Sequence, residues 1–142
     1  MKLNYKKLND NATVPIYEHV NDAGMSLRSI HDYEIIYHEI TTIKTGISIE
    51  LIPGYMGLVC PRSGLAKNFG ITVVNAPGII DSGYRGELCV VLTKLTPGKF
   101  RVYVGNAIAQ LIIVPYETVD FKLVENLNET ERGDGGFGSS GR

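Results

Sequence analysis

Seven short runs of apolar and β-branched residues, each closed by a turn signal, govern what this chain can fold into. They cover residues 34–37, 46–52, 57–60, 71–74, 87–92, 101–104 and 107–114. Runs of this length and composition are strand-like. Between them stand Pro53-Gly54, Pro77-Gly78, Ser82-Gly83, Pro97-Gly98 and Gly105-Asn106, which fix φ or permit positive φ where the chain reverses. No window of about eleven residues keeps a 3.6-residue apolar period, and one short helix near Ser63 to Asn68 is the whole helical expectation. The number and spacing of the runs predict an all-β domain, a jelly-roll-like sandwich or barrel with at most one short helix, rather than a parallel α/β sheet.

The chain has 142 residues, enough for one domain and one core. With 44% hydrophobic and 20% charged residues it belongs with packed globular chains, not disordered or fibrous ones. Its longest apolar stretch, 107–114, is broken by Gln110 and falls short of the roughly 20 residues a membrane helix needs. Near the amino end Asn4, Asn9, Asp10 and Asn11 occupy the place of a signal peptide's apolar region, so a cytoplasmic setting is expected, or a host cytoplasm for a viral gene. Fourteen basic residues against fifteen acidic ones give a net charge of −1, which argues against a nucleic-acid-binding face. An anionic ligand must be met by a local cluster. Cys60 and Cys89 read as reduced core thiols, and His19, His31 and His38 lack metal-ligand spacing.

Three segments carry chemistry. Arg62-Ser63-Gly64-Leu65-Ala66 follows an expected strand, and a forked guanidinium, a hydroxyl and small residues that free the backbone amides suit a phosphate nest. A strand-to-turn transition with a surface arginine is the plainer alternative. The stretch from Asn75 to Gly86 reads as a long hairpin-like turn holding an amide, the carboxylate of Asp81 and the ring of Tyr84; alone, such an aspartate more often bonds its own backbone. Finally, five of the sixteen glycines fall within the last ten residues. That segment cannot build a core, and ordering it requires something to grip. A linker has such a composition, but Phe137 is what a closing lid would carry to stack on a planar ligand.

Taken in order, these segments resemble the five motifs of the trimeric dUTPases, which hydrolyse dUTP to dUMP and pyrophosphate. Ala23 to Ser29 matches the first motif, Arg62 to Ala66 the second and Asn75 to Glu87 the third. Gly105 to Leu111 matches the fourth and Arg132 to Gly141 the fifth. The resemblance implies a jelly-roll subunit over residues 1–127, a flexible arm over 128–142 that closes on the active site, and a homotrimer sharing its sites. It implies that Asp81 primes a water for attack on the α-phosphate, with Mg²⁺ held through substrate phosphates and waters and no direct protein ligand. Phosphates would fall to Arg62, Ser63, Gly64, Gln110, Arg132, Gly138 and Ser139. Uracil would fall to Asn75 and to the chain at Gly78, Ile79, Ile80 and Cys89, with Phe137 stacked on the base and Tyr84 packed on deoxyribose. The activity would limit dUTP and supply dUMP for dTTP synthesis.

The match has departures. Ser26 replaces the usual acid of the first motif, and Asp22, though close, is out of phase to take its place. Asn106-Ala107 replaces an Asp-Arg pair, while Gly83, Asn68 and Ser140 are further changes. A dCTP deaminase, a sister on the same fold, needs a glutamate where Val91 stands. A nucleotide-responsive regulator with reduced catalysis and a protein partner is the other alternative.

Overall fold

A computed structural model describes residues 1–136; Phe137, Gly138 and Ser139, three of the expected site residues, lie outside the described residues. The strands are β1 (Asn4–Lys7), β2 (Met25–Arg28), β3 (Tyr33–Ile36), β4 (Ile40–Lys44), β5 (Ile47–Glu50), β6 (Tyr55–Cys60), β7 (Ile71–Val73), β8 (Gly78–Ile80), β9 (Cys89–Lys94), β10 (Lys99–Val102) and β11 (Ala107–Pro115). One helix, α1 (Ser63–Phe69), lies between β6 and β7. The largest sheet has the order β2-β11-β6-β8, a second the order β4-β9-β7, and β1-β5 and β3-β10 form two-stranded pairs. Every ladder is antiparallel. This is the all-β, jelly-roll-like architecture that the short runs predicted.

Period-two alternation explains the layering. Along β9 Val90, Leu92 and Lys94 point inward while their neighbours are half-exposed, as the pleat requires. Ile35, Ile43, Ile47, Leu88, Val90, Leu92, Ile108 and Leu111 close the core between the sheets. Lys94 is the exception among these inward positions, only 6% exposed. Its ammonium donates to Phe69 O at 2.7 Å and to Thr96 Oγ1, so the buried charge has oxygen partners at the end of α1. The helix stops there because Gly70 adopts φ 65°, its amide turning back to Leu65 and Ala66 carbonyls. A side chain at 70 would also strike Thr96.

The two cysteines are free but half-buried rather than core residues. Beyond Pro115 the described residues form no further helix or strand, and Val119, Phe121, Leu123 and Leu127 are left exposed.

Candidate active site

The second expected motif begins where β6 runs out. Pro61 ends the strand, Arg62 caps α1 with extended backbone, and Ser63 and Gly64 form the exposed first turn. Beside them lies β11, whose Gln110 pairs with Cys60 across the ladder and donates from Nε2 to Pro61 O at 2.9 Å. The opposite neighbour of β11 is β2, which places Ser26 against Gln110. Arg62, Ser63, Gly64, Gln110, Ser26 and Gly24 therefore line one cleft of about 520 Å³. Gly24 leaves the room that the Gln110 amide occupies: a β-carbon there would stand 2.5 Å from Gln110 Oε1.

Three members of this cleft, Glu18, His19 and Asp22, were not among the expected residues. Of these only Asp22 stands close to the first motif in sequence; an isolated bridge between Ile16 and Ser26 folds the whole segment over β2. Asp22 accepts from the His19 amide at 2.9 Å and so holds the turn. Glu18 instead pairs with Arg28 Nη2 at 2.5 Å. Hydrogen bonding from Ser26, then the charge of Arg28, against some opposing burial, holds the Glu18 carboxyl below its ordinary value.

The third motif makes a second pocket of about 240 Å³, lined by Ile79, Ile80, Asp81, Tyr84, Cys89 and, unexpectedly, Glu87. Asp81 follows β8 directly and is exposed, its carbonyl accepting from the Tyr84 amide at 3.1 Å. Arg85 ties the turn together, donating from Nη1 to the Ser82 and Tyr84 carbonyls and from Nη2 to Glu50. Tyr84 folds back so that its hydroxyl donates to Glu87 O at 3.0 Å, over Gly86, where any side chain would collide with the ring. Asn75 lies against the Cα side of Gly78, its Nδ2 3.1 Å from where a β-carbon would sit. Burial, reinforced by the Glu87 charge, raises the Cys89 thiol above its ordinary range, so it remains protonated at neutral pH.

The two pockets share no lining residue. Strands β6 and β8 run antiparallel with Gly57 opposite Ile80 and Val59 opposite Gly78. Asp81 consequently leaves the pair at the end where β6 begins, and Arg62 at the end where β6 stops, roughly 15 to 20 Å apart along the strand. Arg132 belongs to neither pocket; it sits in an exposed turn with Nε donating to Gly135 O at 2.9 Å.

A cleft lined by an arginine and small polar residues, set apart from a hairpin pocket with an exposed aspartate, on a jelly-roll-like body, is an arrangement suited to a nucleotide-binding β protein that hydrolyses phosphoanhydrides. More narrowly, the chain belongs to the dUTPase family of nucleotide hydrolases, whose model matches residues 10–141. It is 48% identical over 141 residues to the deoxyuridine 5'-triphosphate nucleotidohydrolase of Crocosphaera subtropica, with 99% of each chain covered. Its fold is similar to that of the Staphylococcus bacteriophage 80alpha dUTPase with dUPNHPP, at a TM-score of 0.92 and 31% identity over 99% of each chain. A variant dUTPase from phage phi11 of S. aureus, described with a structural Mg(II) ion, is similar at a TM-score of 0.83 and 26% identity, covering 89% of this chain and 98% of that one.

Proposed function

We propose that this dUTPase cleaves dUTP to dUMP and pyrophosphate, with Asp81 as the base that takes a proton from the attacking water. The observation that carries the reading is the placement of one exposed carboxylate, Asp81, in a small pocket walled by Ile79, Ile80, Tyr84, Cys89 and Glu87, whose own carboxylate is taken up by the Gly46 amide at 2.7 Å. The water oxygen bonds to the α-phosphorus in line with the departing pyrophosphate, and its proton passes to Asp81. One carboxylate suffices, because phosphoryl transfer depends chiefly on positioning and charge neutralisation.

Arg62, the Ser63 hydroxyl, the Gly64 amide and Gln110 grip the phosphates, joined by Arg132, Ser139 and the Gly138 amide from the arm of residues 128–142. Asn75 and the chain at Gly78, Ile79, Ile80 and Cys89 read the uracil edge; cytosine is rejected because it leaves buried polar groups unpaired. Tyr84 packs on deoxyribose and Phe137 on the base. Among the described residues no three His, Cys, Asp or Glu side chains cluster to hold an ion. Mg²⁺ retains most of its waters and favours phosphate oxygens, so this donor set fits an ion carried by the triphosphate. When bound, Mg²⁺ draws negative charge off the leaving group.

The separation of the two pockets supports a homotrimer in which each site takes Asp81 from one chain and Arg62 from another. The exposed Val119, Phe121, Leu123 and Leu127 suit burial against such neighbours. No helix among the described residues is long and apolar enough to cross a membrane; cytoplasmic control of dUTP, with supply of dUMP for dTTP synthesis, follows from the activity. A regulatory role with a protein partner is the second reading, favoured by the 80alpha enzyme, described among phage dUTPases that control transfer of virulence genes.

The test is pyrophosphate release from dUTP, dTTP, dCTP and UTP with Mg²⁺ present. dUTP alone should turn over efficiently, and Asp81→Asn should slow it about 10²- to 10⁴-fold with little change in KM. Near-normal turnover by that variant removes Asp81 as the base. Binding of dUTP by the unaltered chain without pyrophosphate release favours the regulator.

A further inference from the structure

The turn that carries Asp81 and Tyr84 has no buried side chain of its own: every residue from 81 to 87 is exposed or half-exposed. Burial therefore does not fix its shape, and polar contacts must. Those contacts converge on Arg85, whose Nη1 donates to Ser82 O at 2.7 Å and to Tyr84 O at 3.0 Å. Strand β5 holds this arginine twice. Ser48 Oγ donates to Arg85 O at 2.7 Å, and Glu50 Oε1 accepts from Arg85 Nη2 at 3.3 Å; residues two apart on a strand share a face, so one side of β5 presents both. The second carboxylate oxygen, Glu50 Oε2, accepts at 2.9 Å from Nδ2 of Asn4, its register partner on β1. Asn4, Ser48, Glu50 and Arg85 line one pocket of about 380 Å³, which shares no lining residue with either pocket of the site.

We propose that Glu50 is a positioning residue for the catalytic turn: clamped between Asn4 and Arg85, it aims the guanidinium at the Ser82 and Tyr84 carbonyls and so fixes where Asp81 and Tyr84 stand. The inference deepens the dUTPase reading and rests on it for the role of Asp81. Two accounts of the Glu50–Arg85 pair compete. As a surface ion pair, with both side chains 51% exposed, it adds little stability, because water screens the charges and ordering two long side chains costs entropy. As a brace it acts through direction: the guanidinium is planar, so seating Nη2 on Glu50 leaves Nη1 facing the turn. The three acceptors on one guanidinium, and the grip of Asn4 on the far oxygen of Glu50, favour the brace. Attack by a water is sensitive to ångström displacements of its base, so the effect of losing the brace falls on turnover. Phosphate binding at Arg62 and Gln110 lies outside this turn, which leaves KM nearly as it was.

The experiment follows hydrogen exchange of the Tyr84 amide, which donates to Asp81 O at 3.1 Å, beside dUTP kinetics and thermal melts for Asn4→Ala, Glu50→Ala, the double variant and Glu50→Gln. In Glu50→Ala the Tyr84 amide should exchange about tenfold faster and kcat should fall about five- to twentyfold, with KM within about threefold and Tm within about 3 °C. Asn4→Ala should show a smaller loss of the same kind, and the double variant should be no worse than Glu50→Ala, because Asn4 acts through Glu50. Glu50→Gln, whose amide oxygen still accepts from Arg85, should recover most of the lost turnover. Unchanged exchange or unchanged kcat in Glu50→Ala overturns the proposal. So does a loss confined to KM, a loss that multiplies in the double variant, or a Glu50→Gln variant no better than Glu50→Ala. An unaltered chain that releases no pyrophosphate from dUTP refutes the functional reading, while faster Tyr84 exchange in Glu50→Ala leaves the brace standing.

Discussion

At the scale of single residues, the phosphate cleft depends on a missing side chain. A methyl group at position 24 would stand 2.5 Å from Gln110 Oε1 and 3.2 Å from its Cβ and Cδ, so Gly24→Ala must push the amide off Pro61 O. Because a flexible side chain yields instead of the backbone, the fold should change by less than ~1 kcal/mol, while KM for dUTP rises several-fold at similar kcat. Thermal melts with steady-state kinetics check both halves, and an unchanged KM removes Gln110 from the phosphate grip. Arg62, Ser63, Gly64, Asp81 and Tyr84 were legible because each sits inside a short contiguous motif. Glu18 was not, since a bridge between Ile16 and Ser26 places it, and that pairing leaves no periodic trace. Asp22 stands near position 26 in sequence, but the fold spends it on the His19 amide and places Glu18 in the same cleft as Ser26.

At the scale of elements, α1 presents Ser63 and Gly64, and its far end is fastened by Lys94. The ammonium reaches Phe69 O at 2.7 Å from an inward position of β9. Lys94→Met keeps the apolar stem but removes both bonds to the ammonium, leaving Phe69 O with the Thr96 hydroxyl that donates to it at 2.8 Å, for an expected loss of about 1 to 3 kcal/mol. Urea denaturation should show a lower midpoint at unchanged slope; an unshifted midpoint means the capping bond is dispensable. The expected strands and helix lie within two or three residues of their observed places, because burial and turn residues both marked them. Strands β1, β2, β4 and β8 escaped notice. β1 is wholly exposed, β4 has two adjacent threonines and only one buried residue, and β8 begins at Gly78 in what reads as a turn. Partners in space, β6 above all for β8, make strands of segments whose own composition is indifferent.

At the scale of the whole molecule, the antiparallel run of β6 and β8 puts Asp81 and Arg62 at opposite ends of that strand pair within one chain. If each active site joins two chains, two crippled proteins can rescue one another. Asp81→Asn and Arg62→Ala should be nearly silent separately, whereas subunits exchanged at random should recover about a quarter of the normal sites. No recovery, with exchange verified by mass, places both residues of a working site on the same chain. The architecture then acts as a gauge of abundance: a newly made solitary copy is inert, and activity grows more steeply than concentration until the copies have found each other.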